Sequence, residues 1–165
     1  MQLRISVNDY AELRRNYDEL KQFRFYPDAF PVMDHEPLKH YFQLLSSPEE
    51  IGKAIITLIT FQKDDLVAQC SGIMLPFQTL HSLQHEETLF FHDDWYAGFL
   101  LHSCEPNCKL DMNDFTLHAV RDIKVYELLT VDYNATEKKL YQGFNCLCGS
   151  ANCKGWIGGY DYKEN

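Results

Sequence analysis

The chain has 165 residues, 45% of them hydrophobic and 24% charged, which fits one globular domain able to bury its own core and excludes a disordered or fibrous protein. Its 24 acidic residues outweigh 15 basic ones, and the formal net charge of −9 argues against direct nucleic-acid binding, since phosphate contacts are made mainly by Lys and Arg. The start, MQLRISVNDY, lacks a basic segment followed by an apolar run, and no stretch approaches the roughly 20 apolar residues of a membrane span, so a soluble, intracellular protein with no membrane partner is expected.

Aromatic residues make up 14% of the chain, with ten Tyr and eleven Phe, which suits a mainly β protein whose rings fill gaps between short sheets. Asp9 and Glu12 have capping-box spacing, and Tyr10, Leu13, Tyr17 and Leu20 recur at three- and four-residue steps, so a helix is expected from Asp9 to Phe23. Pro27, Pro31 and Pro37 then break the chain into turns, with one short helix expected over Lys39 to Leu45 before Ser46-Ser47-Pro48.

The run from Lys53 to Gln62 is rich in Ile, Thr and Phe, and Leu66 to Cys70 follows the turn-forming Lys63-Asp64-Asp65. The two predict a hairpin. Further short strands are expected over Leu75 to Gln84 and Thr88 to His92. Phe115, Leu117 and Ala119 alternate with Thr116, His118 and Val120 as in a half-buried strand, and another strand element covers Leu128 to Tyr133.

Cysteine usage points to a metal. Six cysteines could form disulfides in a secreted chain, but the absence of a leader and the clustered C-terminal spacing favour ligation under reducing conditions. Cys146, Cys148 and Cys153, in a C-x-C-x4-C arrangement, offer three thiolates on one tight turn, with Gly149 giving the backbone freedom to curl around an ion. Tetrahedral zinc needs a fourth ligand, for which Cys104, Cys108 and His102 are the candidates. Any of them would staple the tail onto a distant upstream segment. Cys70, inside a strand pattern, reads as a small buried hydrophobe.

His102-Ser103-Cys104-Glu105-Pro106-Asn107, followed by Leu129-Thr130-Val131-Asp132-Tyr133 and then by the C-x-C-x4-C tail ending in Gly155-Trp156, resembles the core of a SET-domain lysine methyltransferase with its post-SET zinc segment. Gly52 to Gly72 is a weaker echo of that family's first strands. The resemblance implies a mainly β fold with short helices, in which several small sheets surround a pseudoknot. It also implies a division into an N-terminal helical extension (1–47), a compact SET domain (48–140) and a post-SET zinc-binding tail (141–165).

The function it implies is S-adenosylmethionine-dependent N-methylation, foremost of a lysine side chain in a protein or peptide, with a small free amine as a further substrate class. Methyl transfer to an amine needs a neutral nucleophile, an in-line approach and a desolvated channel. A lysine ammonium, with a pKa near 10.4, has no lone pair until burial and a neighbouring positive charge lower that value. On this likeness Tyr133 is the catalytic tyrosine and Asp132 holds the strand and the His102 segment in place. Cofactor-binding falls to Gly52, Ala54, Leu101, His102 and Trp156. The fourth ligand of one structural zinc, beside Cys146, Cys148 and Cys153, becomes Cys104.

Three positions depart from the family pattern on the cofactor side: Leu101 stands where Asn is usual, Gly98 where Arg is common, and Ala54 where a second Gly closes the turn. Val131 occupies the place of a Phe or Tyr that commonly limits how many methyl groups fit. The alternative these departures imply is a degenerate, non-catalytic SET scaffold that binds a partner. A zinc-ribbon nucleic-acid binder ranks behind both because of the charge.

Overall fold

Short apolar runs separated by proline and acidic turns become short strands in the protein's computed structural model, which describes residues 21–47 and 52–162. In chain order these are β1 (Phe42–Ser47), β2 (Gly52–Thr57), β3 (Leu66–Gln69), β4 (Ile73–Leu75), β5 (Ser82–Glu86), β6 (Leu89–His92), β7 (Leu101–His102), β8 (Cys108–Asp111), β9 (Thr116–Ala119), β10 (Thr130–Val131), β11 (Phe144–Asn145) and β12 (Trp156–Ile157). One single-turn helix, α1 (Tyr133–Thr136), follows β10. The strands form five small sheets: β1-β2, β3-β9-β8, β4-β6-β5, β7-β10 and β11-β12. All pairs are antiparallel except β7 with β10.

Three expectations from the sequence need correction. Residues 42–45 are not helical but begin β1, because antiparallel pairing with β2, from Phe42↔Thr57 to Ser47↔Gly52, overrides the local helical reading. The hairpin between the 53–62 and 66–70 runs does not form either. Asp64 does make a turn, with φ of 70°, but Phe61 pairs with Ile123 and β3 pairs with β9, so the two arms diverge into different sheets. The strand expected over 75–84 is split at Pro76, leaving β4 and β5 on opposite sides of β6. The helix expected over 9–23 lies outside the described residues except for its last three, Lys21–Phe23, which form a 3-10 turn.

The core gathers between these sheets. Ile55, Leu100, Leu117, Ile123 and Leu129 are fully buried, and each such side chain contributes about 1.5–3 kcal/mol from removal of apolar surface from water. Aromatic rings fill the gaps: Phe42 stacks on Phe61 at 6.0 Å and meets Tyr96 edge-on at 5.2 Å. The buried Asp93 carboxylate accepts the N–H groups of Trp95, Tyr96 and Ala97 and the Tyr26 hydroxyl, all within 2.9 Å. That turn leads into a 3-10 turn, Ala97–Phe99, and delivers the chain to β7. Gly98 is enclosed there, and a Cβ at this position would collide with the Asp93 carbonyl oxygen and with His81.

The meeting of β7 with β10 positions everything that follows. The N–H groups of Leu101 and Ser103 bond to the carbonyls of Leu129 and Val131 at 3.3 and 3.0 Å. In such a parallel ladder the alternate residue, His102, turns its own N–H and carbonyl to the opposite edge. Asn107, only 2% exposed, locks the pair with its side chain. Its Nδ2 donates to the Leu128 carbonyl (2.8 Å), its Oδ1 accepts the Thr130 N–H (2.9 Å), and its own N–H donates to Thr130 Oγ1 (3.1 Å). Replacing Asn107 by Ala leaves two backbone groups without their side-chain partners and is expected to cost about 2–4 kcal/mol, read as a lower urea midpoint at unchanged slope.

Candidate active site and thiol cluster

Tyr133 opens α1 because Asp132, in extended conformation, caps it by accepting the Asn134 N–H at 3.0 Å. The cap turns the chain so that the Tyr133 ring lies back along β7. Its hydroxyl donates to the Leu100 carbonyl at 2.5 Å, and its backbone N–H donates to His102 Nδ1 at 3.1 Å. His102 and Phe144 flank the ring at 5.2 and 6.1 Å. Burial, with a smaller contribution from the Glu137 charge, pushes the Tyr133 phenol up to about 12, so it remains a neutral hydroxyl at physiological pH.

Glu137 ends the same turn, its N–H bonded to the Tyr133 carbonyl. The residue is 3% exposed; Oε1 accepts the Gln84 N–H and the Thr136 hydroxyl, whereas Oε2 has no hydrogen-bond partner. Burial raises its carboxyl to about 7 against those two hydrogen bonds. Gln84 and Thr136 also line an open depression of about 580 Å³, rimmed by Glu86, Glu87, Lys138 and Asp161.

The His102 imidazole has a side-chain exposure of 2%. Its Nε2 lies 3.3 Å from Cys104 Sγ, and burial lowers its pKa against the pull of Asp132. Asp132 in turn pairs through Oδ2 with Lys154 Nζ at 2.8 Å, tying α1 to the tail.

The sulfurs of Cys104, Cys146, Cys148 and Cys153 all lie within 4.8 Å of one another. Four thiolates around zinc at about 2.3 Å stand roughly 3.8 Å apart, so this set fits one tetrahedral ion with little movement. The tail curls as required: Gly149 and Gly155 have φ of +72° and +76°, and the Cys146 N–H bonds the Gly155 carbonyl at 2.6 Å. Cys104 Sγ accepts the Lys154 N–H at 3.3 Å, and the Ser150 hydroxyl and N–H draw Cys148 down to about 5, toward the thiolate that a metal binds. Cys108 is elsewhere, on β8 opposite Ala119, where burial pushes it up to about 12.

Gly52 and Ala54 lie on β2, one strand away from β7. The Ile55 carbonyl accepts the Leu129 N–H at 2.8 Å, and the Leu129 carbonyl accepts that of Leu101. Gly52 has φ of +73°, whereas Ala54 keeps ordinary strand geometry and is buried without strain. Lys53, between them, sets its ammonium 4.5 Å over the Phe99 ring. Trp156, 37% exposed, covers Gly143 and stands beside Tyr162 at 6.0 Å on the β11-β12 hairpin that carries Phe144. Val131 is a core residue, 2% exposed, opposite His102 in the ladder. Sequence reasoning missed Phe144, Glu137 and Asn107; only Asn107 carried a signal, as the last residue of the motif that begins at His102.

A family model for the SET domain matches residues 5–134. Among curated proteins, "Methyltransferase flvH" of Aspergillus flavus is 45% identical over 65 residues, covering 38% of this chain and 36% of that protein. A histone-lysine N-methyltransferase, H3 lysine-4 specific, of Saccharomyces cerevisiae is 38% identical over 68 residues, covering 37% of this chain and 6% of that protein. The chain thus spans well under half the length of these relatives. Among solved structures, KRYPTONITE in complex with mCHG DNA and SAH matches with a TM-score of 0.58 at 20% identity, over 70% of this chain and 28% of that one. The methyltransferase domain of human SETMAR, a histone-lysine N-methyltransferase, matches with a TM-score of 0.56 at 21% identity, over 72% of this chain and 58% of that one.

The Glu137 environment has a pH signature. Its carboxyl titrates near 4.5 in the unfolded chain and about 7 in the folded one, so the native state holds the extra proton between those values and loses stability as pH rises through them. A Glu137→Gln variant is expected to lack this decline. It should match the parent near pH 5 and exceed it by up to about 3 kcal/mol at pH 8, read from urea midpoints across the range.

Proposed function

The chain belongs to the SET-domain family, and from that premise we propose that it is an S-adenosylmethionine-dependent N-methyltransferase acting on a lysine side chain of a protein or peptide. The observation that carries this reading is the Tyr133 hydroxyl, buried, neutral and already committed as a donor to the Leu100 carbonyl. A hydroxyl whose proton is engaged can only accept a further hydrogen bond. It would therefore hold a substrate amine by one N–H and leave the nitrogen lone pair free to face the methyl group.

When bound, S-adenosylmethionine supplies that methyl on a positively charged sulfur. The residues proposed to bind it are Gly52, Ala54, Leu101, His102 and Trp156. His102 would contribute its outward backbone N–H and carbonyl, since both ring nitrogens are occupied internally. Leu101 would keep the approach apolar, which desolvates the amine and lowers its pKa toward the neutral form. Cys104, Cys146, Cys148 and Cys153 are proposed to hold one structural zinc that fastens the tail, and with it Phe144 and Trp156, against β7. The acidic rim of Glu86, Glu87 and Asp161 beside α1 favours a basic peptide. Among the described residues no helix is long and apolar enough to cross a membrane.

Calorimetric titration of the zinc-loaded protein with S-adenosylmethionine and S-adenosylhomocysteine is expected to give micromolar binding. A folded, zinc-loaded protein that binds neither would make a non-catalytic partner-binding scaffold the better reading. Given binding, turnover on basic peptides is compared with turnover on free amines; activity confined to free amines would replace the protein substrate. Tyr133→Phe is expected to lower turnover at least about 100-fold while leaving cofactor affinity near that of the parent. Chelation should release about one zinc per chain and make residues 143–162 sensitive to protease. Unchanged metal content in Cys104→Ser would remove that cysteine from the ligand set.

A further inference from the structure

We propose that His102 is a positioning residue that couples the thiol cluster to Tyr133, donating from Nε2 to the Cys104 sulfur while Nδ1 accepts the Tyr133 backbone N–H. The proposal rests on the reading of the four thiols as a zinc centre.

The two contacts assign the tautomer. A backbone N–H can only donate, so the 3.1 Å contact from Tyr133 N requires an unprotonated Nδ1. A neutral ring then carries its proton on Nε2, which faces Cys104 Sγ at 3.3 Å. The Lys154 N–H reaches the same sulfur at 3.3 Å, so two donors converge on Cys104, the arrangement that a metal-bound thiolate accepts and a thiol with its own proton does not need.

Asp132 Oδ1 stands 3.7 Å from Nδ1, beyond hydrogen-bond reach, and is already used by the Asn134 N–H. It does not compete for the ring. Phe144, at 5.9 Å, and Tyr133, at 5.2 Å, hold the imidazole from two sides, and a side-chain exposure of 2% leaves little room for water to substitute. The result is a rigid path of two hydrogen bonds from Cys104 to the backbone of the residue whose hydroxyl sits at Leu100. A change in the sulfur's position or charge is transmitted to Tyr133 without passing through the tail.

The test is made on the intact chain. In protein reconstituted with cadmium-113, a long-range proton–nitrogen spectrum is expected to show His102 protonated at Nε2, with scalar coupling from the metal to that proton across the Cys104 sulfur. A ring protonated at Nδ1 would overturn the proposal. Exchanging zinc for cadmium, whose bonds to sulfur are longer, should shift the Tyr133 amide resonance in the parent but not in His102→Phe; a shift that persists in the variant also overturns it. His102→Phe is expected to weaken zinc binding by about 10- to 100-fold against a chromophoric chelator, with partial recovery in His102→Gln, which retains a donor. Equal affinity in all three proteins counts against the coupling. Should the Phe variant not fold, the tautomer in the unaltered protein still decides. A parent protein that takes up neither metal refutes the zinc centre itself, a result distinct from a metal-loaded protein with the wrong tautomer.

Discussion

The architecture depends on one lateral contact, the parallel pairing of Leu101–His102 with Thr130–Val131. Two residues a side cannot hold two strands together by ladder bonds alone, and Asn107 supplies what the ladder lacks. Its primary amide acts as an extra peptide unit, accepting from Thr130 and donating to Leu128. With that pair fixed, Leu100 offers its carbonyl to Tyr133, Cys104 emerges at the edge facing the tail, and β2 is bound through Leu129 on the other side. The backbone at Leu101, Ser103 and Leu129 is thereby set by hydrogen bonds that trace to this contact.

Charge is distributed around the contact in an ordered way. Burial keeps Tyr133 neutral and lifts Glu137, so the interior beside α1 is short of full charges. The thiol cluster is mixed: the Ser150 hydroxyl and N–H lower Cys148 and the Lys154 N–H meets Cys104, while burial raises Cys104 and Cys146, a cost that a divalent cation would offset. His102 lies between these two environments, with Nε2 toward the Cys104 sulfur and Nδ1 toward the Tyr133 N–H.

The thiol set was legible in the sequence because ligand spacing on a tight turn is a local property. Cys146, Cys148 and Cys153 announce themselves, whereas selecting Cys104 over Cys108 needed the family likeness. Tyr133 and Asp132 were singled out on the same ground. Strand partners were not: alternation marks a strand but not its neighbour, so the 53–62 and 66–70 runs looked like a hairpin although each pairs elsewhere. Residues 42–45 looked helical because nothing local reveals that β2 will pair with them. Glu137 and Phe144 gave no signal at all, since a glutamate becomes a buried group with a raised pKa only through what folds over it.

Gly98 is fixed by its surroundings. Its position looks like the loss of an arginine, but the Asp93 turn has closed around it, with the Gly98 N–H bonded to the Asp93 carbonyl and no room for a Cβ. An arginine here would break the turn that delivers Leu100 and Leu101 to β7. The glycine is therefore required by the turn itself, since any side chain at this position must displace the Asp93 carbonyl or His81.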